Sequence, residues 1–75
     1  MGIEYKFVNP SILDFILDNW SYLNINLIQP KNLDDVFNWC YENLEKGWYH
    51  HRKIHHRMIY FENSDDKFLF ELTWL

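Results

Sequence analysis

Alanine is missing altogether, and the residues that loosen or staple a small chain are scarce: two glycines, two prolines and one cysteine among 75 residues. One cysteine, Cys40, leaves no partner for an internal disulfide, so the core must hold without a covalent link, and a reducing cytoplasm is the expected location. Few glycines and prolines leave little room for flexible linkers, and no repeat or low-complexity tract divides the chain, which reads as a single compact domain over residues 1–75. No apolar run approaches the roughly 20 residues of a membrane span. The opening "MGIEYKFV" has no basic segment ahead of a long apolar one, so no secretory leader is expected, and "MGIEYK" lacks the hydroxyl residue of a myristoylation signal. Cations are also few. Seven Lys and Arg face eleven Asp and Glu, a net charge of −4, which disfavours direct binding to nucleic acid or to an anionic membrane. No Gly-rich phosphate loop, nucleophile elbow or paired-cysteine metal motif occurs. Catalysis, a cofactor and a bound metal are therefore not expected.

Large apolar and aromatic side chains take the place of alanine. Hydrophobic residues make up 48% of the chain and aromatics 20%, including four Trp, five Tyr and six Phe. A domain this short buries only about 60% of its unfolded surface, so fifteen aromatics are hard to hide in one copy. Some of that bulk is expected to meet a second molecule.

The periodicity of the apolar positions predicts an α+β fold. "IEYKFV" alternates as a half-buried strand over residues 3–8. "NPSILDFILDNWSYL" reads as a helix opened by Asn9-Pro10 and a capping box from Ser11 to Asp14, with Trp20 and Leu23 still on its apolar side. "NINLIQP" is a short edge strand or a loop, ended by Pro30. The second helix is the clearest: Asn32 caps it, and Asp34 and Asp35 complement its N-terminal dipole. Leu33, Val36, Phe37, Cys40 and Leu44 form one stripe, and Gly47 stops it. "HRKIHHRMIYFE" and "KFLFELTWL" then read as two strands around the polar turn "NSDD", with Phe68, Phe70, Leu72 and Trp74 on one face. The expected architecture is a two-layer domain in β-α-α-β-β order: two helices on one face of a mostly antiparallel three-stranded sheet with a C-terminal hairpin.

Two surfaces invite a functional reading. All four histidines lie in "WYHHRKIHHRMIYF", residues 48–61, together with Arg52, Lys53 and Arg57. A metal is disfavoured there, because His51 and His55 stand roughly 13 Å apart on a strand while zinc needs its ligands about 2 Å from one centre. Basic and aromatic residues interleaved in this way resemble RNA-binding surfaces, and the helix-helix-hairpin order with basic strands resembles small ribonuclease toxins of the RelE type. That resemblance implies an RNA-binding or RNA-cleaving domain using His51, Arg52, Lys53, His55, His56 and Arg57. Those toxins are strongly basic, and this chain is acidic. A pH switch is a third use of the histidines. The plainest is a solvated strand whose charge complements an acidic helix.

That helix is the second surface. Asp34, Asp35, Asn38, Glu42 and Glu45 gather opposite its apolar stripe, and Trp39 falls beside Asp35 and Glu42, off the stripe. Interface hot spots favour Trp and Tyr, and charge complementarity speeds association with a basic partner. Asp14 and Asp18 on the first helix extend the acidic surface. The leading expectation is a non-catalytic inhibitor that occludes a larger protein, or protein–nucleic acid complex, with a basic surface. An immunity protein, an antitoxin and a phage anti-defence or anti-CRISPR protein all fit that size and charge. A homo-oligomer in which "LFELTWL" offers an exposed strand edge to a second copy is the remaining alternative.

Overall fold

Tyr49 and Tyr60 pair across two neighbouring strands, and the pairing runs outward to both edges of a four-stranded antiparallel sheet. The computed structural model describes residues 5–6, 8–26, 32–52 and 56–75. Its elements are β1 (Tyr5–Lys6), a 3-10 turn (Pro10–Ile12), α1 (Leu13–Asn19), β2 (Ser21–Asn24) and α2 (Leu33–Asn43). β3 (Trp48–Arg52), β4 (Arg57–Phe61) and α3 (Ser64–Trp74) complete the chain. The strands lie in the order β1-β3-β4-β2. The α+β class is as expected; the sheet has four strands rather than three, and the chain ends in a helix.

The first strand is described only at Tyr5 and Lys6, and the remainder of residues 3–8 adds no further strand among the described positions. At the first helix the expected capping box is absent. Asn9 does that work, its Oδ1 accepting the Ser11 N–H at 3.0 Å while its carbonyl accepts from Ile12 at 2.9 Å. The helix also stops earlier than its apolar spacing implies. Trp20 turns extended, at φ −78° and ψ 148°, and "SYLN" becomes β2, paired with β4 from Ser21↔Phe61 to Asn24↔Met58. Trp20 and Leu23 satisfy a helical period and a strand equally well, and the free edge of β4 decides for the strand. Pro30 and the rest of residues 27–31 lie outside the described residues.

α2 follows its sequence pattern closely. Leu33, Val36, Phe37 and Cys40 are buried, joined by Leu44 just past its end. Asn32 occupies the N-cap position without a side-chain cap bond, and Leu44 rather than a glycine ends the helix. Lys6 from β1 supplies the C-terminal partner: its Nζ donates to the carbonyls of Tyr41 at 2.9 Å and Leu44 at 3.1 Å. A cation at the negative end of the dipole suits that position.

The largest departure is at the C-terminus. The hairpin is β3–β4, paired from Trp48↔Phe61 to Arg52↔Arg57, and "NSDD" is not its turn. Asn63 caps α3, accepting the Asp65 N–H at 2.7 Å, and Asp65 and Asp66 fill the first turn. An Asn N-cap followed by acids is a helix start on the same residues that mark a turn. Phe68, Phe70, Leu72 and Trp74 therefore do not share a face: Phe70 is fully buried, while Phe68 and Leu72 are 61% and 68% exposed.

Paired positions share a sheet face, so Trp48 and His50 on β3 lie with Phe61 and Ile59 on β4 and with Leu23 on β2. These residues meet α2 and α3 in one cluster containing Val36, Phe37, Cys40 and Phe70. Phe37 stacks on Trp48 at 6.0 Å and lies 4.6 Å from the His50 ring. α2 and α3 thus pack on one side of the sheet.

Two carboxylates pin the entry to α3. Glu62 accepts the Gly47 N–H at 2.9 Å, and Asp66, itself buried, accepts the Lys46 N–H at 3.0 Å. Gly47 is not the end of α2 but the residue that this pair holds at the start of β3. A Cβ there would sit 2.8 Å from the Trp20 indole and 3.1 Å from the Lys6 carbonyl oxygen.

Candidate protein-interaction site

Successive helical residues turn by about 100°, which sends Asp34, Asp35, Asn38 and Glu42 to the side of α2 opposite its buried stripe. All four are exposed, as is Glu45 just beyond the helix. The sequence expectation of an acidic outer face therefore corresponds to a real surface. Its aromatic member is different. Trp39 is half-buried and meets Phe70 at 6.1 Å and Trp74 at 6.2 Å, both edge-on. Edge-to-face contacts of this kind add stability beyond area alone, so most of this indole serves the α2–α3 seam. Sequence periodicity missed the contact because it placed residues 67–75 in a strand. Tyr41, at 46% exposure, is the aromatic that stands clear beside the acids. Lys6 Nζ lies 5.1 Å from the centre of its ring, which steadies the side chain. Asp14 and Asp18 are exposed, four residues apart on one side of α1.

The histidine-rich stretch does not act as one unit. A break between Arg52 and Arg57 divides it, so parity does not carry through and His50 shares a face with Ile59. His50 is buried against Phe37, contrary to the expectation of an exposed polar strand end. His51 is on the opposite face. Arg52 and His56 are exposed and Arg57 is half-buried; Lys53 and His55 lie outside the described residues. No group of three or more His, Cys, Asp or Glu side chains placed to hold a metal ion occurs among the described residues.

The face that carries His51 has a feature the sequence did not reveal. The registers Tyr5↔Tyr49, Tyr49↔Tyr60 and Tyr22↔Tyr60 align four tyrosines in one row across all four strands. His51 packs on Tyr49 at 5.9 Å and on Tyr60 at 6.2 Å, and Tyr22 meets Tyr60 at 5.6 Å. Burial, and then neighbouring Tyr22, raises the Tyr60 phenol above its ordinary value. Tyr5 and Tyr22 on the edge strands remain exposed. The sequence shows only that each of the four strands carries one tyrosine; strand order and register make them a row.

Cys40 is fully buried, and desolvation, with a smaller contribution from Asp66, pushes its thiol up to about 12. The thiolate is the nucleophile, so this thiol is chemically quiet at neutral pH. We expect no modification by a thiol reagent at pH 8 in the native state and full modification once urea unfolds the chain. Rapid native labelling, followed by mass, would contradict the packing of α2. Linkage has the same origin. The unfolded thiol ionises above about 9 while the folded one does not, so this group subtracts stability as pH rises from there toward 12.

Among the described residues no helix is long and apolar enough to cross a membrane. Comparison of the chain with protein-family models, with curated proteins and with solved structures finds no match.

Proposed function

We propose that this protein is a non-catalytic binding module that occludes a larger partner with a basic surface, in the manner of an immunity protein, an antitoxin or a phage anti-defence or anti-CRISPR protein. The observation that carries the reading is the outer face of α2, where Asp34, Asp35, Asn38, Glu42 and Glu45 are exposed together beside Tyr41. Acids on a rigid helix steer a cationic partner, and an exposed tyrosine supplies burial at low entropic cost. Trp39 contributes at the edge through whatever part of its ring the α3 contact leaves free, and Asp14 and Asp18 are the outlying members. A partner that itself acts on nucleic acid presents the basic cleft such a face fits.

One observation favours a second reading. A row of tyrosines with a histidine packed against it, exposed at Tyr5 and Tyr22, resembles a stacking surface for the bases of single-stranded RNA, although the register puts Arg52 and Arg57 on the opposite face.

The test uses the full chain as bait in extracts of its native host, with nuclease treatment, beside the variant Asp35→Lys/Glu42→Lys and the variant Tyr22→Ala. The acidic-face reading expects a protein retained by the wild type, released as salt rises and lost at least about tenfold in the double variant, with both variants melting like the wild type. Capture that is indifferent to charge reversal defeats it. Direct binding of a single-stranded oligonucleotide that weakens in Tyr22→Ala establishes the second reading instead.

A further inference from the structure

Nine large hydrophobic side chains are exposed among the described residues, and four of them, Phe68, Leu69, Leu72 and Leu75, belong to α3 or directly follow it. Helical rotation brings Phe68, Leu72 and Leu75 within about 60° of one another, on the side opposite Phe70. α3 is therefore apolar on two sides. One side is spent on the core through Phe70 and half-buried Trp74. The other is a stripe facing away from it. Single exposed hydrophobics are ordinary, but a contiguous stripe at helical spacing is the usual mark of a contact surface.

We infer that a second copy of this chain covers the stripe, with α3 packed antiparallel against its counterpart about a two-fold axis. Three features single out a copy rather than an unrelated protein. The stripe is complementary to itself: with the axis level with Phe70, Phe68 meets the partner's Leu72, and symmetry repeats the contact in reverse. The flank is complementary too. Lys67 and Glu71 form an i, i+4 pair at 3.8 Å along one side of α3. A two-fold brings that flank against itself in reverse, so with the axis level with Phe70 the Lys67 position lies about 3 Å along the helix from the partner's Glu71, within reach of the long lysine side chain, and opposite charges meet. The antiparallel arrangement also sets the helix dipoles head to tail.

Area fixes the strength. Taking the exposed fractions against roughly 200 Å² for a large side chain, the stripe offers on the order of 400 Å² per copy, and about 800 Å² in total falls short of the roughly 1,200 Å² of a standard stable interface. The dimer is thus weak and concentration-dependent, at the micromolar end of protein affinities or weaker. It is independent of the acidic-face reading, because it uses α3 and leaves the outer side of α2 free.

Sedimentation equilibrium of the full chain tests it across the micromolar concentration range. The wild type is expected to pass reversibly from monomer to dimer and no further. Leu72→Glu and, separately, Phe68→Ser should weaken dimerisation by at least about a hundredfold with circular dichroism and melting unchanged, since neither side chain is in the core. Lys67→Glu and Glu71→Lys should each weaken it, and the two together should restore it, which tests the two-fold itself. A wild type that stays monomeric throughout, open-ended association, or a Leu72→Glu variant that still dimerises would each overturn the inference. Asp35→Lys/Glu42→Lys should dimerise like the wild type; if it alone loses the dimer, the interface lies on α2 and the inference fails.

Discussion

Phe70→Ala is expected to cost about 3–5 kcal/mol, while Phe68→Ala, two residues away, should change stability by no more than about 0.5 kcal/mol. Phe70 is fully buried, with Phe61 at 5.5 Å and Trp39 at 6.1 Å, and removing its ring leaves a hole beneath the seam of the two helices. Phe68 points away from that seam, and alanine is the better helix former at an exposed site. A domain of this length has roughly 4–11 kcal/mol to lose, so the first variant should give up a large share of its stability. Urea melts at low protein concentration, where self-association plays no part, provide the comparison. On a strand, residues 68 and 70 would share a face and the two costs would be similar. Equal losses would therefore remove α3.

Gly47→Ala should cost roughly 2–3 kcal/mol, the upper part of the range for overpacking. Its Cβ would lie 2.8 Å from Trp20, and the Glu62 carboxylate and the Lys6 carbonyl, both at 3.1 Å, close off the other directions. Relief requires moving an indole or parting the Gly47–Glu62 bonds, of which there are two: the side chain accepts from the Gly47 N–H, and the Glu62 N–H donates to the Gly47 carbonyl at 3.0 Å. Trp20→Phe shortens the clashing ring. The double variant should then be more stable than the sum of the two single losses allows, a coupling readable from three melting curves. Simple additivity would mean that Trp20 does not stand over this backbone.

What could be read in the sequence depended on whether one period explained each segment. α2 was legible because its stripe, its first-turn acids and its acidic outer side all fit 3.6 residues per turn and nothing else. Residues 20–24 fit two periods, and only the available edge of β4 selects a strand. Residues 67–75 misled for a different reason. A helix with apolar residues on two opposite sides places them at 68, 70, 72 and 74, which is also the alternation of a half-buried strand. The acidic row could be found from spacing on α2 alone. Neither the half-covered Trp39 nor the tyrosine row could, because both depend on contacts between elements far apart in the chain. His50 was misplaced by parity, since the hairpin bend falls inside the basic stretch.

Glu62 and Asp66 give this pattern its outcome. A cylinder oily on both sides has two nearly equivalent ways to lie on a core, and its own hydrophobicity cannot choose between them. The two acids, four positions apart and each engaged with a main-chain amide of the α2–β3 connection, break the tie. Rolling the helix over to shelter Phe68 and Leu72 would pull Asp66 out of its buried bond, so the greasier orientation in water is the one enforced. A pair of charged side chains thus acts as a latch that keeps an oily surface on display.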